Sequence, residues 1–137
     1  ESDDKLFNFI GHELLINYPR WSPEVRELEK LSDAPLGLGT LCRQVRVDQG
    51  NRSESTFKVV IFDPNKRICF DGQSNPFRCD YLLESKNEKS TQITFTFELL
   101  SLELHMRPFE KLVRIAVQDG AERTVRNIKR LIEFNTI

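Results

Sequence analysis

Histidine, tryptophan and cysteine are scarce in this chain of 137 residues, which holds two His, one Trp and three Cys. The cysteines, Cys42, Cys69 and Cys79, are odd in number and show no CxxC spacing. That pattern disfavours a disulfide framework and, with so few histidines, a zinc site. Reduced, buried thiols are expected instead. Net charge is equally slight: 20 basic against 21 acidic side chains leave −1, so general attraction to nucleic acid or to a membrane surface is not expected. No apolar run approaches the roughly 18 residues that a membrane-spanning helix needs, and the acidic start Glu1-Ser2-Asp3-Asp4 is unlike a signal peptide. The GxGxxG, P-loop, HExxH and GxSxG patterns are all missing. Internal repeats, low-complexity tracts and linkers are missing too.

What is present suits a globule. An apolar fraction of 39% with 30% charged residues argues against disorder and for one cytoplasmic domain over residues 1–137. The aromatic set is skewed, with ten Phe against two Tyr, and most of the Phe fall at alternating positions, as residues facing an interior do.

Asp3 to Leu15 is predicted to be a helix, with Leu6, Phe9, Ile10 and Leu14 at helical spacing, Ser2 or Asp3 as cap, and Gly11 as a break or bend. Asn17 to Pro23 contains two prolines and is not expected to stay helical, since each disfavours helical geometry in its predecessor. Glu24 to Asp33 reads as a charged, partly exposed strand, and Ala34 to Gly39 as a turn.

Five further strands follow: Leu41 to Val47, Ser55 to Phe62, Arg67 to Gly72, Phe77 to Glu84 and Thr91 to Glu103. The turns between them are Gln49-Gly50-Asn51, Asp63-Pro64-Asn65-Lys66, Ser74-Asn75-Pro76 and Lys86-Asn87-Glu88-Lys89. Successive hairpins make an antiparallel meander with one apolar face. Centring the turns predicts its register. Ile61 should face Ile68 and Val59 should face Phe70. Leu83, Tyr81 and Cys79 should face Ile93, Phe95 and Phe97, and Cys79 should lie opposite Ile68 rather than Cys69.

The chain then turns to one long amphipathic helix, about Pro108 to Phe134. Its apolar stripe runs through Phe109, Leu112, Val113, Ala116, Val117, Ala121, Val125, Ile128, Leu131 and Ile132. Arg107, Lys111, Arg114 and the basic cluster from Arg123 to Arg130 take the other face, where the C-terminal dipole favours cations without any nucleic acid. Gly120 inside this helix costs about 1 kcal/mol against Ala and marks either a close helix-to-sheet approach or room for a ligand.

Three stretches carry a resemblance: Trp21-Ser22-Pro23-Glu24-Val25, Pro35-Leu36-Gly37-Leu38-Gly39-Thr40, and Phe57 to Ile68 with its Asp63-Pro64-Asn65-Lys66-Arg67-Ile68 turn. They match a W-S-P-x-V entry, a glycine turn before the next strand and a P-x-x-R-I/L turn. Over essentially its whole length the chain resembles the START-like (SRPBCC) superfamily, and within it the polyketide cyclase/dehydrase-like branch. The resemblance implies an α+β helix-grip fold, in which a curved antiparallel sheet wraps around a long C-terminal helix. One departure stands out. Members usually begin with a strand ahead of the first helix, and this chain starts almost at the helix, so either upstream residues are absent or the sheet lacks a strand. A missing strand would leave an unpaired edge and make a dimer one option.

The resemblance further implies a deep, mostly apolar cavity for a hydrophobic small molecule such as a lipid, sterol or polyketide. Candidate wall residues are Phe57, Val59, Phe70, Phe77, Cys79, Tyr81, Phe95 and Phe97 on the sheet, joined by Ile61 and Ile68, with Phe109, Val113, Val117 and Gly120 on the helix. A filled core is the competing reading of the same residues. Tyr81 is the most informative, because a phenol among apolar neighbours needs a polar partner or a ligand. Arg43 alternates with Leu41, Val45 and Val47, so it either points into the cavity towards an anionic head or pairs with Glu29 in solvent. His12 and His105 have no carboxylate or nucleophile at a recognisable spacing, and Asn51-Arg52-Ser53 is a sequon with no secretory signal beside it.

Neither a cofactor nor a metal is expected. Three functions remain: a non-enzymatic carrier or sensor of a hydrophobic ligand, a cyclase or dehydratase acting through Tyr81, Arg43 or His105, and an interaction module. The last is similar to the coenzyme-Q-binding or ribosome-associated branch through Asn17-Tyr18-Pro19. The first is preferred. A polar cluster converging inside the cavity would favour the enzyme.

Overall fold

The N-terminal helical segment is built to bury aromatic rings. In the computed structural model, which describes residues 3–48, 50–73, 77–87, 90–99 and 108–133, α1 (Asp3–Phe7) runs into a π-helical turn, Asn8–His12, and then α2 (Leu14–Trp21). The wide turn is closed by the Glu13 N–H donating to the Asn8 carbonyl at 2.9 Å. It places Phe9, Ile10 and Gly11 inward together. Gly11 is required there. A Cβ at that position would come within 2.8 Å of the Phe7 ring, which is fully buried.

The structure corrects the expectation that the chain leaves the helix at Asn17. Helix α2 continues through Pro19 to Trp21, although a proline inside a helix costs roughly 3 kcal/mol. Tertiary contacts outweigh that cost. Tyr18 and Trp21 are buried, and the Asn17 side-chain amide donates to the Phe9 carbonyl at 3.0 Å. The local bias of a pre-proline residue is weaker than the burial of two large rings.

Six strands follow: β1 (Val25–Lys30), β2 (Leu41–Asp48), β3 (Asn51–Asp63), β4 (Arg67–Gly72), β5 (Phe77–Asn87) and β6 (Ser90–Leu99). They lie in sequence order in one sheet with antiparallel neighbours. Gly39, at φ 85°, turns the chain into β2, and its N–H donates to the Val59 carbonyl at 2.8 Å. The sheet curves, and helix α3 (Glu110–Glu133) crosses its concave side, the architecture of a helix-grip fold.

Much of the expected register is present: Val59 opposes Phe70, and Leu83, Tyr81 and Cys79 oppose Ile93, Phe95 and Phe97. Two pairings differ. A bulge between Val59 and Ile61 shifts the phase, so Ile61 opposes Cys69 and Phe62 opposes Ile68. Cys79 opposes Phe70, and Ile68 opposes Tyr81. Strand β3 also starts at Asn51, four residues before its expected start, because Asp48 already pairs with Asn51. The expectations for Gln49, Ser74-Asn75-Pro76, Glu88 and Lys89, the end of the last strand at Glu103, His105, Arg107 and Phe134 lie outside the described residues.

The core fills the space between α1, α2 and the middle strands. Phe7, Ile10, Leu14, Phe57, Val59, Ile68 and Phe70 have no exposed surface there. Helix α3 is anchored at its C-terminal half, where Ile128 is buried. Leu112 and Ile115 in its N-terminal half, and Phe109 just ahead of it, are exposed. The three thiols are free and buried. No helix among the described residues is long and apolar enough to cross a membrane.

Candidate functional site

Between the concave face and α3 lies a cavity of about 800 Å³. Its floor is apolar: Phe77, Cys79 and Tyr81 of β5 alternate inward beside Phe95 and Phe97 of β6. Phe77 stacks on Phe97 with ring centroids 5.9 Å apart, and Tyr81 meets Phe95 at 4.7 Å. The roof is the inner face of α3, with Val113, Ala116, Val117, Gly120 and Ala121. Gly120 is no close-approach glycine. Among the described residues outside the helix's own backbone, the nearest atom to a Cβ added there is Arg123 Nη2 at 3.9 Å, so its small size leaves the cavity room. A smaller cavity of about 220 Å³ lies at the other end of α3, against Leu6, Thr91 and Ile93.

Tyr18 and Trp21 of α2 close the inner end. The Trp21 indole N–H donates to the Tyr81 hydroxyl at 3.3 Å, and Asn127 of α3 donates to the Trp21 carbonyl at 2.9 Å. Burial pushes the Tyr81, Tyr18 and Cys79 pKa values up, so the groups stay neutral. They are placed to pack and to form hydrogen bonds rather than to carry charge.

The opposite wall is polar. Gln44, Arg46 and Asp48 of β2 and Asn51, Ser53 and Ser55 of β3 face inward with Glu24, and Arg123 and Thr124 of α3 stand across from them. Arg46 grips Asp48 through two hydrogen bonds, 3.1 and 3.2 Å, and donates to the Tyr18 hydroxyl at 3.4 Å. Arg123 reaches Glu24 at 3.3 Å. Gln44 donates to the Ser55 hydroxyl at 3.3 Å, while its amide oxygen, like Glu24 Oε2, is buried with no hydrogen-bond partner among the described residues.

Of the wall residues expected from sequence, Phe77, Cys79, Tyr81, Phe95, Phe97, Val113, Val117 and Gly120 line this cavity. Phe57, Val59 and Phe70 do not. They are core residues behind the wall, where the Phe57 and Phe70 rings lie 4.3 Å apart and Tyr18 covers both. Ile61 and Ile68 are likewise not on the wall. Phe109, just ahead of α3, is 52% exposed and does not line the cavity.

Of the two readings of Arg43, the pairing with Glu29 in solvent holds and the cavity placement is corrected. It lies on the outer face, bonded to Glu54 at 3.0 Å and close to Glu29 and Glu27 at 3.4 and 3.5 Å. Strand β2 turns Cys42, Gln44 and Arg46 inward, so Arg43 and Val45 face away. His12 packs against Phe7 and Phe62, away from the cavity.

The polar wall is the part that sequence reasoning missed, although a signal for it exists. With Asp48 paired to Asn51, Cys42 pairs with inward Phe57, and Gln44 and Arg46 must then share that face. Among the described residues no group of three or more His, Cys, Asp or Glu is placed to hold a metal.

No family model matches the chain, and no curated protein matches it either. Solved structures do. TTHA0849 from Thermus thermophilus is 18% identical with a TM-score of 0.69, over 99% of this chain and 92% of that one. SA2116 from Staphylococcus aureus, a protein of unknown function, is 15% identical with a TM-score of 0.69, over 98% and 88%. Ara h 8.0201 is 17% identical with a TM-score of 0.60, over 94% and 91%. At such identities the likeness is one of fold, and it agrees with the helix-grip architecture of the chain.

Proposed function

We propose that this protein binds an apolar small molecule between the sheet and α3, as a carrier or sensor. The supporting observation is the cavity itself. Its volume of about 800 Å³ falls in the range of roughly 300–1,000 Å³ typical of ligand pockets. Its apolar floor supplies the affinity that such pockets draw from apolar walls, and polar groups of the kind on its other wall give orientation. Tyr81 is the proposed polar anchor on the floor. Its oxygen accepts from Trp21, which leaves the phenol hydrogen for a ligand acceptor.

Binding of the neutral dye N-phenyl-1-naphthylamine tests this reading. The parent protein should enhance its fluorescence. Val117→Trp, which fills the space beneath α3, should weaken binding at least about tenfold at an overpacking cost of roughly 1–3 kcal/mol. A variant that binds the dye as well as the parent would place the site elsewhere.

The polar wall supports a second reading, a cyclase or dehydratase working by proton transfer, with Glu24 as the carboxylate that retains an unpartnered oxygen. That reading requires Glu24→Gln to abolish dehydration of a β-hydroxy ketone by the parent. Absence of any such turnover in the parent, alongside dye binding, favours the carrier.

A further inference from the structure

The chemistry of the polar wall narrows the ligand class. We infer that the cavity selects a neutral amphiphile bearing a hydroxyl group, and discriminates against a carboxylate of the same length. This rests on the reading that the cavity holds a small molecule.

Two cations reach the wall, Arg46 and Arg123, and each is already committed, to Asp48 and to Glu24. With two Arg and two carboxylates the charges cancel, so an anionic head would have to displace an existing partner. The unmet valences are acceptors: the amide oxygen of Gln44, a residue only 2% exposed, and Glu24 Oε2. A buried acceptor without a donor retains its desolvation cost until a donor arrives. A hydroxyl brings that donor without charge. Were the Gln44 amide turned end for end, its NH2 would be the unmet group, and a hydroxyl would serve that too. Glu24 accepts in either case, and its charge repels a carboxylate. The wall stands beside the apolar floor of Phe95 and Phe97, so a ligand with a hydroxyl at one end and a hydrocarbon body satisfies both.

Displacement of bound N-phenyl-1-naphthylamine by three chains of equal length separates the possibilities: decan-1-ol, 1-methoxynonane and decanoate, the last at pH 8. Decan-1-ol should displace the dye at a concentration about tenfold below the other two, the gain expected of one hydrogen bond to a group otherwise left unmet. Gln44→Leu should reduce the advantage of the alcohol over the ether at least about threefold, the remainder resting on Glu24 Oε2. Glu24→Gln, which removes the repelling charge and frees Arg123, should improve decanoate relative to the alcohol. It gives an independent readout should Gln44→Leu not fold. Equal displacement by the ether or by decanoate from a dye-loaded parent would overturn the inference and leave the cavity reading standing. Failure of the parent to bind dye would overturn the cavity reading, and the inference with it.

Discussion

The indole N–H of Trp21 donates to the hydroxyl of Tyr81 at 3.3 Å, with the two rings edge-to-face at 5.9 Å. The bond ties the last residue of α2 to the middle of β5, and both side chains are 1% exposed. Tyr81→Phe keeps the ring but leaves a buried indole donor without its acceptor. A stability loss of about 1–3 kcal/mol is expected, read as a lower urea midpoint with an unchanged slope. Unchanged stability would mean that the indole has another partner.

Gly11→Ala should destabilise, contrary to the usual gain from replacing a helical glycine. The new methyl would stand 2.8 Å from a Phe7 ring that has no exposed surface and is flanked by Phe62 and His12. A cost of about 1–3 kcal/mol is expected from overpacking. Thermal melts of the two proteins decide it.

Alkaline pH should weaken the fold. Burial pushes the Cys42 and Cys69 thiols up to about 11 and moves Cys79, Tyr18 and Tyr81 in the same direction. The unfolded chain gives up these protons more readily, so the native state holds more of them between pH 9 and about 11. Stability is therefore full below the unfolded thiol value and falls as pH rises through that window. Urea midpoints at pH 7, 9 and 10.5 should decline in that order. At pH 8 Ellman's reagent should react with none of the three thiols in the native protein and with all of them in denaturant.

Arg43→Ala should leave both the melting temperature and the dye affinity close to the parental values. Its partners Glu27, Glu29 and Glu54 are more than half exposed, and the group lies on the face opposite the cavity. A marked drop in dye affinity would contradict that placement.

The parts of this fold legible in the sequence are those where apolar alternation and turn position agree. Tyr81 opposite Phe95 and Cys79 opposite Phe97 follow from counting outward from one hairpin, and the helix over that face follows from its stripe. The count fails at Ile61, because a bulge adds a residue to β3 and nothing local in Val59-Val60-Ile61 announces it. It fails on β2 for a different reason. Val45 is buried on the outer face while Arg46 and Gln44 line the interior, so hydrophobicity points the wrong way wherever a cavity is partly polar. Phe57 and Phe70 do point inward, as their alternation implies. Whether an inward ring lines a void or fills a core depends on what lies over it, here Tyr18, placed by a helix that continues through Pro19.

The single tryptophan of the chain lies at the cavity's inner end, and both tyrosines sit against it, with ring centroids 5.8 Å away for Tyr18 and 5.9 Å for Tyr81. At that separation excitation absorbed by either phenol passes to the indole, so the native protein emits as tryptophan alone. Unfolding separates the three rings and restores a tyrosine band near its usual wavelength. The molecule thus carries an intrinsic two-colour reporter at the proposed binding site, one band reading occupancy through the environment of the indole and the other reading whether the chain is folded.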